Sequence, residues 1–98
     1  MFIVTMTYTA PLEQVDALLA EHVAWLERNY AAGRFLASGR QVPRVGGVIL
    51  ARAESREELL AVLAEDPFQK AGVAQLQLTE FLPTMTSPEL ESLRVTLG

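Results

Sequence analysis

Cysteine is absent from this chain, which removes disulfides, thiolate nucleophiles and thiolate metal sites together. Histidine is nearly absent: His22 is the only one, so a histidine-rich metal cluster within one subunit is excluded, and no metal is expected. Basic residues are few, eight Lys and Arg against twelve Asp and Glu, for a formal net charge of −4. Such a chain lacks the positive footprint that binding a phosphate backbone requires, so nucleic acid is not an expected partner. No apolar run approaches the roughly 20 residues needed to cross a bilayer. The opening Met1-Phe2-Ile3-Val4 is interrupted by Thr5 and Thr7 and lacks the basic start and apolar length of a signal peptide. The expectation is a cytoplasmic protein with no membrane partner. Internal repeats, low-complexity tracts, a Gly-rich phosphate loop and a Ser-based nucleophile elbow are also missing; Gly46-Gly47 reads as turn chemistry.

The 98 residues suit one domain, 1–98, with a core over 1–83 and a tail over 84–98, because domains commonly run to about 100–150 residues. Hydrophobic residues make up 50%, rich for a body that buries only about 60–65% of its unfolded surface. Part of that apolar surface is expected to lie against another copy of the chain, as a homodimer or higher oligomer.

Phe2 to Tyr8 alternates in β-branched and aromatic residues and predicts a strand. Pro11 suits the first turn of a helix, with Thr9 as its cap. From Leu12 to Tyr30, Val15, Leu18, Leu19, Val23, Trp25, Leu26 and Tyr30 recur at helical spacing, with Glu13, Gln14, Glu21, Glu27 and Arg28 on the other side. Gly33 closes the helix as the left-handed terminating residue. Arg34–Gln41 and Gly47–Ala53 read as a hairpin of strands. Ser55-Arg56-Glu57-Glu58 fits a capping box, the serine meeting one free N–H while the glutamate reaches back to another. Leu59, Leu60, Val62 and Leu63 give that second helix its buried side. Pro67 interrupts it, a short turn runs from Gln69 to Gly72, and Val73–Leu82 alternates as a fourth strand. Ser87-Pro88-Glu89 starts a last short helix through Leu93. Strand, helix, strand, strand, helix, strand is a split βαβ order, an α+β ferredoxin-like sandwich with both helices on one face of an antiparallel sheet.

His22 sits in the apolar stripe between Leu18, Leu19 and Leu26. Imidazole is the side chain that exchanges a proton near neutrality, so a core-facing histidine is either a packing residue or the working group of a pocket. Asp66 before Pro67 is a common helix N-cap. Trp25 and Phe68 could line an aromatic-binding pocket, although Trp25 reads as core. Tyr8 ends the first strand where its hydroxyl could serve the same site. Arg40 and Arg44 could bind an anion, although arginines beside a hairpin turn are usually solvated surface.

Taken as a set, His22 and Arg28 on the first helix, Gly33 at its end, Ser38-Gly39, Gly47 and Asp66-Pro67-Phe68 resemble the YciI-like, or YCII-related, family. The match extends from the first strand to Leu82. The resemblance implies a dimeric α+β barrel in which a histidine and an aspartate face one pocket as an acid–base pair. By position these are His22 and Asp66, one carboxylate oxygen capping the helix while the other meets the imidazole, with Ser38 as an auxiliary donor. More distantly it resembles a chlorohydroxyquinol dehydrochlorinase and the muconolactone isomerase-type barrels. Arg40 stands where many relatives have proline after Ser-Gly, which alters that pocket wall.

The reading is therefore a cofactor-free enzyme performing elimination or isomerisation on a small aromatic or lactone-like molecule. His22 and Asp66 are its catalytic candidates, and Ser38, Arg40, Tyr8 and Phe68 its substrate-binding candidates. Two alternatives remain open from sequence: a non-catalytic small-molecule-binding or accessory dimerisation module, and a cofactor-free monooxygenase of the related barrel type.

Overall fold

Alternation along the first strand is what organises the molecule. The structure, a computed structural model, describes residues 1–97; Gly98, the last residue of the expected domain and tail, lies outside the described residues. In chain order it forms β1 (Phe2–Tyr8), α1 (Leu12–Ala17), α2 (Leu19–Ala31), β2 (Phe35–Arg40), β3 (Gly46–Ala51), α3 (Arg56–Leu63), α4 (Pro67–Lys70), β4 (Ala74–Glu80) and a 3-10 helix (Pro88–Leu93). The strands make one antiparallel sheet in the order β2-β3-β1-β4. This is the ferredoxin-like α+β arrangement that the element order predicted.

Phe2, Val4 and Met6 on β1 are sealed, while Ile3 and Thr7 are exposed. Opposite residues of an antiparallel pair project to the same face. Val4 therefore shares its face with Ile49 on one side and Leu78 on the other. That face carries the core, closed by Val15, Trp25, Leu59, Leu63 and Phe68 from the helical layer. Two glycines are dictated by geometry. Gly33 has φ +78°, the left-handed conformation expected at the end of α2. A Cβ at Gly46 would lie 1.8 Å from the carbonyl oxygen of Met6, so β3 starts beside β1 only because nothing projects there.

Several boundaries differ from the sequence expectation. The long first helix is interrupted at Leu18, whose φ of −103° and ψ of −1° separate α1 from α2. Neither glycine nor proline marks the break. Val15 before the break and Trp25 after it are both fully buried, so the two segments face one core. Thr9 does not cap α1; its hydroxyl donates to the Gly72 carbonyl at 3.2 Å, and Pro11 holds the cap position without a side-chain hydrogen bond. Val23, Tyr30 and Leu60, assigned above to buried stripes, are exposed, because helical spacing sets them about 100–160° around their helices from the sealed Trp25 and Leu59. The turn after Pro67 is the single-turn helix α4. The expected last helix is the 3-10 segment Pro88–Leu93, the edge strands β2 and β4 are shorter than expected at both ends, and β3 begins one residue earlier and ends two residues earlier than expected.

Candidate functional site

The site grows from two local features of the sequence. One is the position of His22 on α2, next to Trp25 and Leu26. The other is Asp66-Pro67, where proline occupies the first position of α4 and Asp66 caps it by accepting from the Phe68 N–H at 3.0 Å. Capping α4 aims the Phe68 ring back at α2. There it lies face to face with the His22 imidazole, with centroids 3.9 Å apart and planes 8° from parallel. Trp25 stands on another side of the imidazole at 5.6 Å, and its indole N–H donates to the Val62 carbonyl at 3.2 Å, as befits a core residue.

Stacked this way, His22 presents Nδ1 to Asp66 Oδ1 at 2.7 Å. A carboxylate has acceptors only, so the hydrogen belongs to Nδ1. Asp66 is completely buried and the His22 side chain is 11% exposed. The expected division of labour between the two carboxylate oxygens is not what the fold adopts. Oδ1 accepts from both Nδ1 and the Phe68 N–H, and Oδ2 is sealed with no partner among the described residues. The reason is the ring stack, which brings His22 alongside the same oxygen that the Phe68 amide already engages.

A cavity of about 170 Å³ opens between α2 and the sheet, reached by His22 and Leu26 from the helix and by Ser38 and Arg40 from β2. Tyr8 and Phe68 also line it, with their rings edge to face at 6.1 Å. All six residues singled out in the sequence therefore fall on this cavity or directly behind it. Only His22, Asp66 and Phe68 are in mutual contact. Ser38 does not meet His22; its hydroxyl is 2.6 Å from the Tyr30 hydroxyl.

Tyr30, not singled out from sequence, holds Ser38. Arg44, weighed as an anion ligand but favoured as solvated surface, lines the cavity and is ion-paired with Asp16 of α1. The hydrogen bond between them raises the Arg44 guanidinium further above its ordinary value and lowers the Asp16 carboxyl below the usual carboxylate range. Nothing near Arg44 in the sequence signals a partner 28 positions away. Among the described residues no group of three His, Cys, Asp or Glu is placed to hold a metal ion, and no helix is long and apolar enough to cross a membrane.

A four-stranded antiparallel sheet covered on one face by helices, with a carboxylate-braced histidine at a small cavity between the layers, defines a compact α+β pocket domain. The chain belongs to the YCII-related family: the YCII-related domain model matches residues 1–82. Among solved structures it is similar to the 5-chloro-2-hydroxyhydroquinone dehydrochlorinase of Burkholderia phenoliruptrix AC1100, which was determined in complex with 2,5-dihydroxybenzoquinone. The TM-score is 0.70 at 22% identity, over 83% of this chain and 93% of that one, a likeness of fold. None of the curated proteins matches the chain in sequence.

Proposed function

We propose that the cavity binds a small flat molecule and that His22 moves a proton to and from it while Asp66 orients the ring. The observation that carries this reading is the 2.7 Å contact between Nδ1 and a completely buried carboxylate. With the hydrogen fixed on Nδ1, Nε2 keeps its lone pair and the imidazolium formed on accepting a proton is stabilised by Asp66. Such a base typically contributes about 10²–10⁴-fold to a rate, which suits an already activated substrate.

In an elimination, Nε2 takes a proton from a ring hydroxyl or from a carbon next to a carbonyl. The released pair moves into the ring, and the leaving group departs with its own bonding pair. In an isomerisation the same proton returns at another carbon. Both sequences are redox-neutral. Ser38, Arg40, Tyr8 and Phe68 form the binding surface in this scheme, and a second copy covers the bare sheet face on which Ile3 and Val48 are exposed. The activity in the fold neighbour's name, removal of HCl from a chlorinated hydroquinone, falls in the elimination class and supports the reading.

Chloride release from 5-chloro-2-hydroxyhydroquinone and from related chlorinated hydroquinones tests it. Turnover that falls about 10²–10⁴-fold in His22→Ala is the expected result. Ligand retained at the cavity with no turnover, or turnover indifferent to His22→Ala, would overturn the catalytic reading.

A further inference from the structure

The charge of the cavity is opposite to that of the chain. The protein carries a formal −4, yet Arg40, Arg44 and the titratable His22 line the cavity and neither aspartate nor glutamate does. The remaining wall is mainly apolar and aromatic, including Leu19, Leu26, Ile49 and Phe68. Its volume, about 170 Å³, compares with the roughly 150 Å³ that accommodates one benzene ring and falls below the roughly 300–1,000 Å³ of drug-sized sites. One ring with few substituents fills it.

Arg44 is under-used as a donor. A guanidinium offers five N–H groups. Among the described residues one nitrogen, Nη2, reaches Asp16, while Nε is sealed without an acceptor. Buried donors are rarely left unpaired, and an incoming oxygen would relieve this one after a small rotation of the side chain. Asp16 is half-exposed and lies outside the cavity wall, so it steadies the guanidinium from the solvent side. The Tyr8 ring supports it from beneath, 5.9 Å from Cζ. Arg40 acts on Asp16 through space and has no ion-pair partner among the described residues. Positive charge beside a low-dielectric wall concentrates anions.

We propose that the ligand of this cavity is a single-ring anion whose charge is met by Arg44 and Arg40 and whose flat body lies on the apolar wall beside His22. The proposal rests on the reading that the cavity is the binding site, and it adds the charge and size of what binds. Arg44 is the residue that sets the charge preference.

The test compares benzoate with its neutral isostere benzamide, following His22 ring resonances by NMR during titration. The wild-type protein is expected to bind benzoate at least about tenfold more tightly than benzamide, the scale of a charge-assisted hydrogen bond, and to lose much of that margin at high ionic strength. Arg44→Gln should erase the preference by weakening benzoate while leaving benzamide nearly unchanged, and Arg44→Lys should retain a preference for the anion. Equal affinity for the two probes, or a preference insensitive to both salt and Arg44→Gln, overturns the anion assignment and leaves the cavity as the binding site. Failure of both probes to perturb His22 overturns the cavity reading itself. Should Arg44→Gln not fold, Arg44→Lys and the salt dependence decide the matter.

Discussion

Ser55 and Asp66 cap consecutive helices and perform the same local task under opposite conditions. At the start of α3, the Ser55 hydroxyl accepts from the Glu58 N–H at 3.1 Å, and the Glu58 carboxylate reaches back to the Glu54 N–H at 3.2 Å. These contacts are exposed, and each oxygen involved has one donor. At the start of α4, Asp66 is fully buried, one oxygen takes two donors, and the other has none. A four-residue helix does not need a sealed carboxylate as its cap, since serine or threonine serves with a smaller desolvation cost. What Asp66 has beyond the requirements of capping is the contact to His22. The contrast separates a residue that ends a helix from one that ends a helix and also braces a reactive ring.

The comparison breaks most decisively at Asp66. Asparagine caps as well as aspartate and still offers an acceptor to the Phe68 N–H, but it removes the carboxylate that holds the hydrogen on Nδ1. Asp66→Asn should therefore leave the fold intact and lower turnover by about 10²-fold or more, with the ¹⁵N spectrum of His22 showing a mixture of tautomers. Asp66→Ala should in addition lose stability, by about 2–3 kcal/mol from the cap and a charge-assisted hydrogen bond together, as read by urea unfolding. Full activity and an unchanged tautomer in Asp66→Asn would reduce Asp66 to a second Ser55.

Ser55→Ala sharpens the other side of the comparison. Loss of one exposed cap costs about 1 kcal/mol, and nothing connects Ser55 to the cavity. Urea unfolding should register that cost, while probe binding and turnover stay at wild-type values. A change in either would mean that the start of α3 communicates with His22, which the hydrogen bonds around it do not provide for.

The same two caps explain what was legible in the sequence. Ser55-Arg56-Glu57-Glu58 and Asp66-Pro67 are local signals, settled within a few residues by backbone geometry, and both cap their helices as read, although Glu58 reaches back to the Glu54 N–H, one residue before the cap. The β1 alternation was legible for the same reason, because the period of a half-buried strand is written in adjacent residues. His22 could be placed on the apolar side of its helix, and the family resemblance supplied the aspartate. The break at Leu18 was not legible, since no glycine or proline stands there to announce it. The crowding on Asp66 Oδ1 depends on the angle of the Phe68 ring. The Arg44–Asp16 pair joins a loop to a distant helix, and no periodicity encodes such a meeting.

A third carboxylate sets the small end of the scale. Asp16 is exposed where Asp66 is sealed, and its partner Arg44 lies at the mouth of the same cavity. The hydrogen bond from Arg44, more than the Coulomb attraction, holds the Asp16 carboxyl below its ordinary value. The folded chain therefore binds that proton less readily than the unfolded chain does. It follows that the pair's contribution to stability is fully present above the ordinary carboxylate range and drains away as pH falls through the lowered value. Solvent and salt screen an exposed pair strongly, so Asp16→Asn should produce the smallest change of the three positions. The melting temperatures of wild type and Asp16→Asn should differ slightly at neutral pH and low salt and converge in acid. A gap that persists unchanged at low pH would remove charge as its cause, and with it the view that Asp16 acts on Arg44 through an ion pair while Asp66 acts on His22 through a buried hydrogen bond.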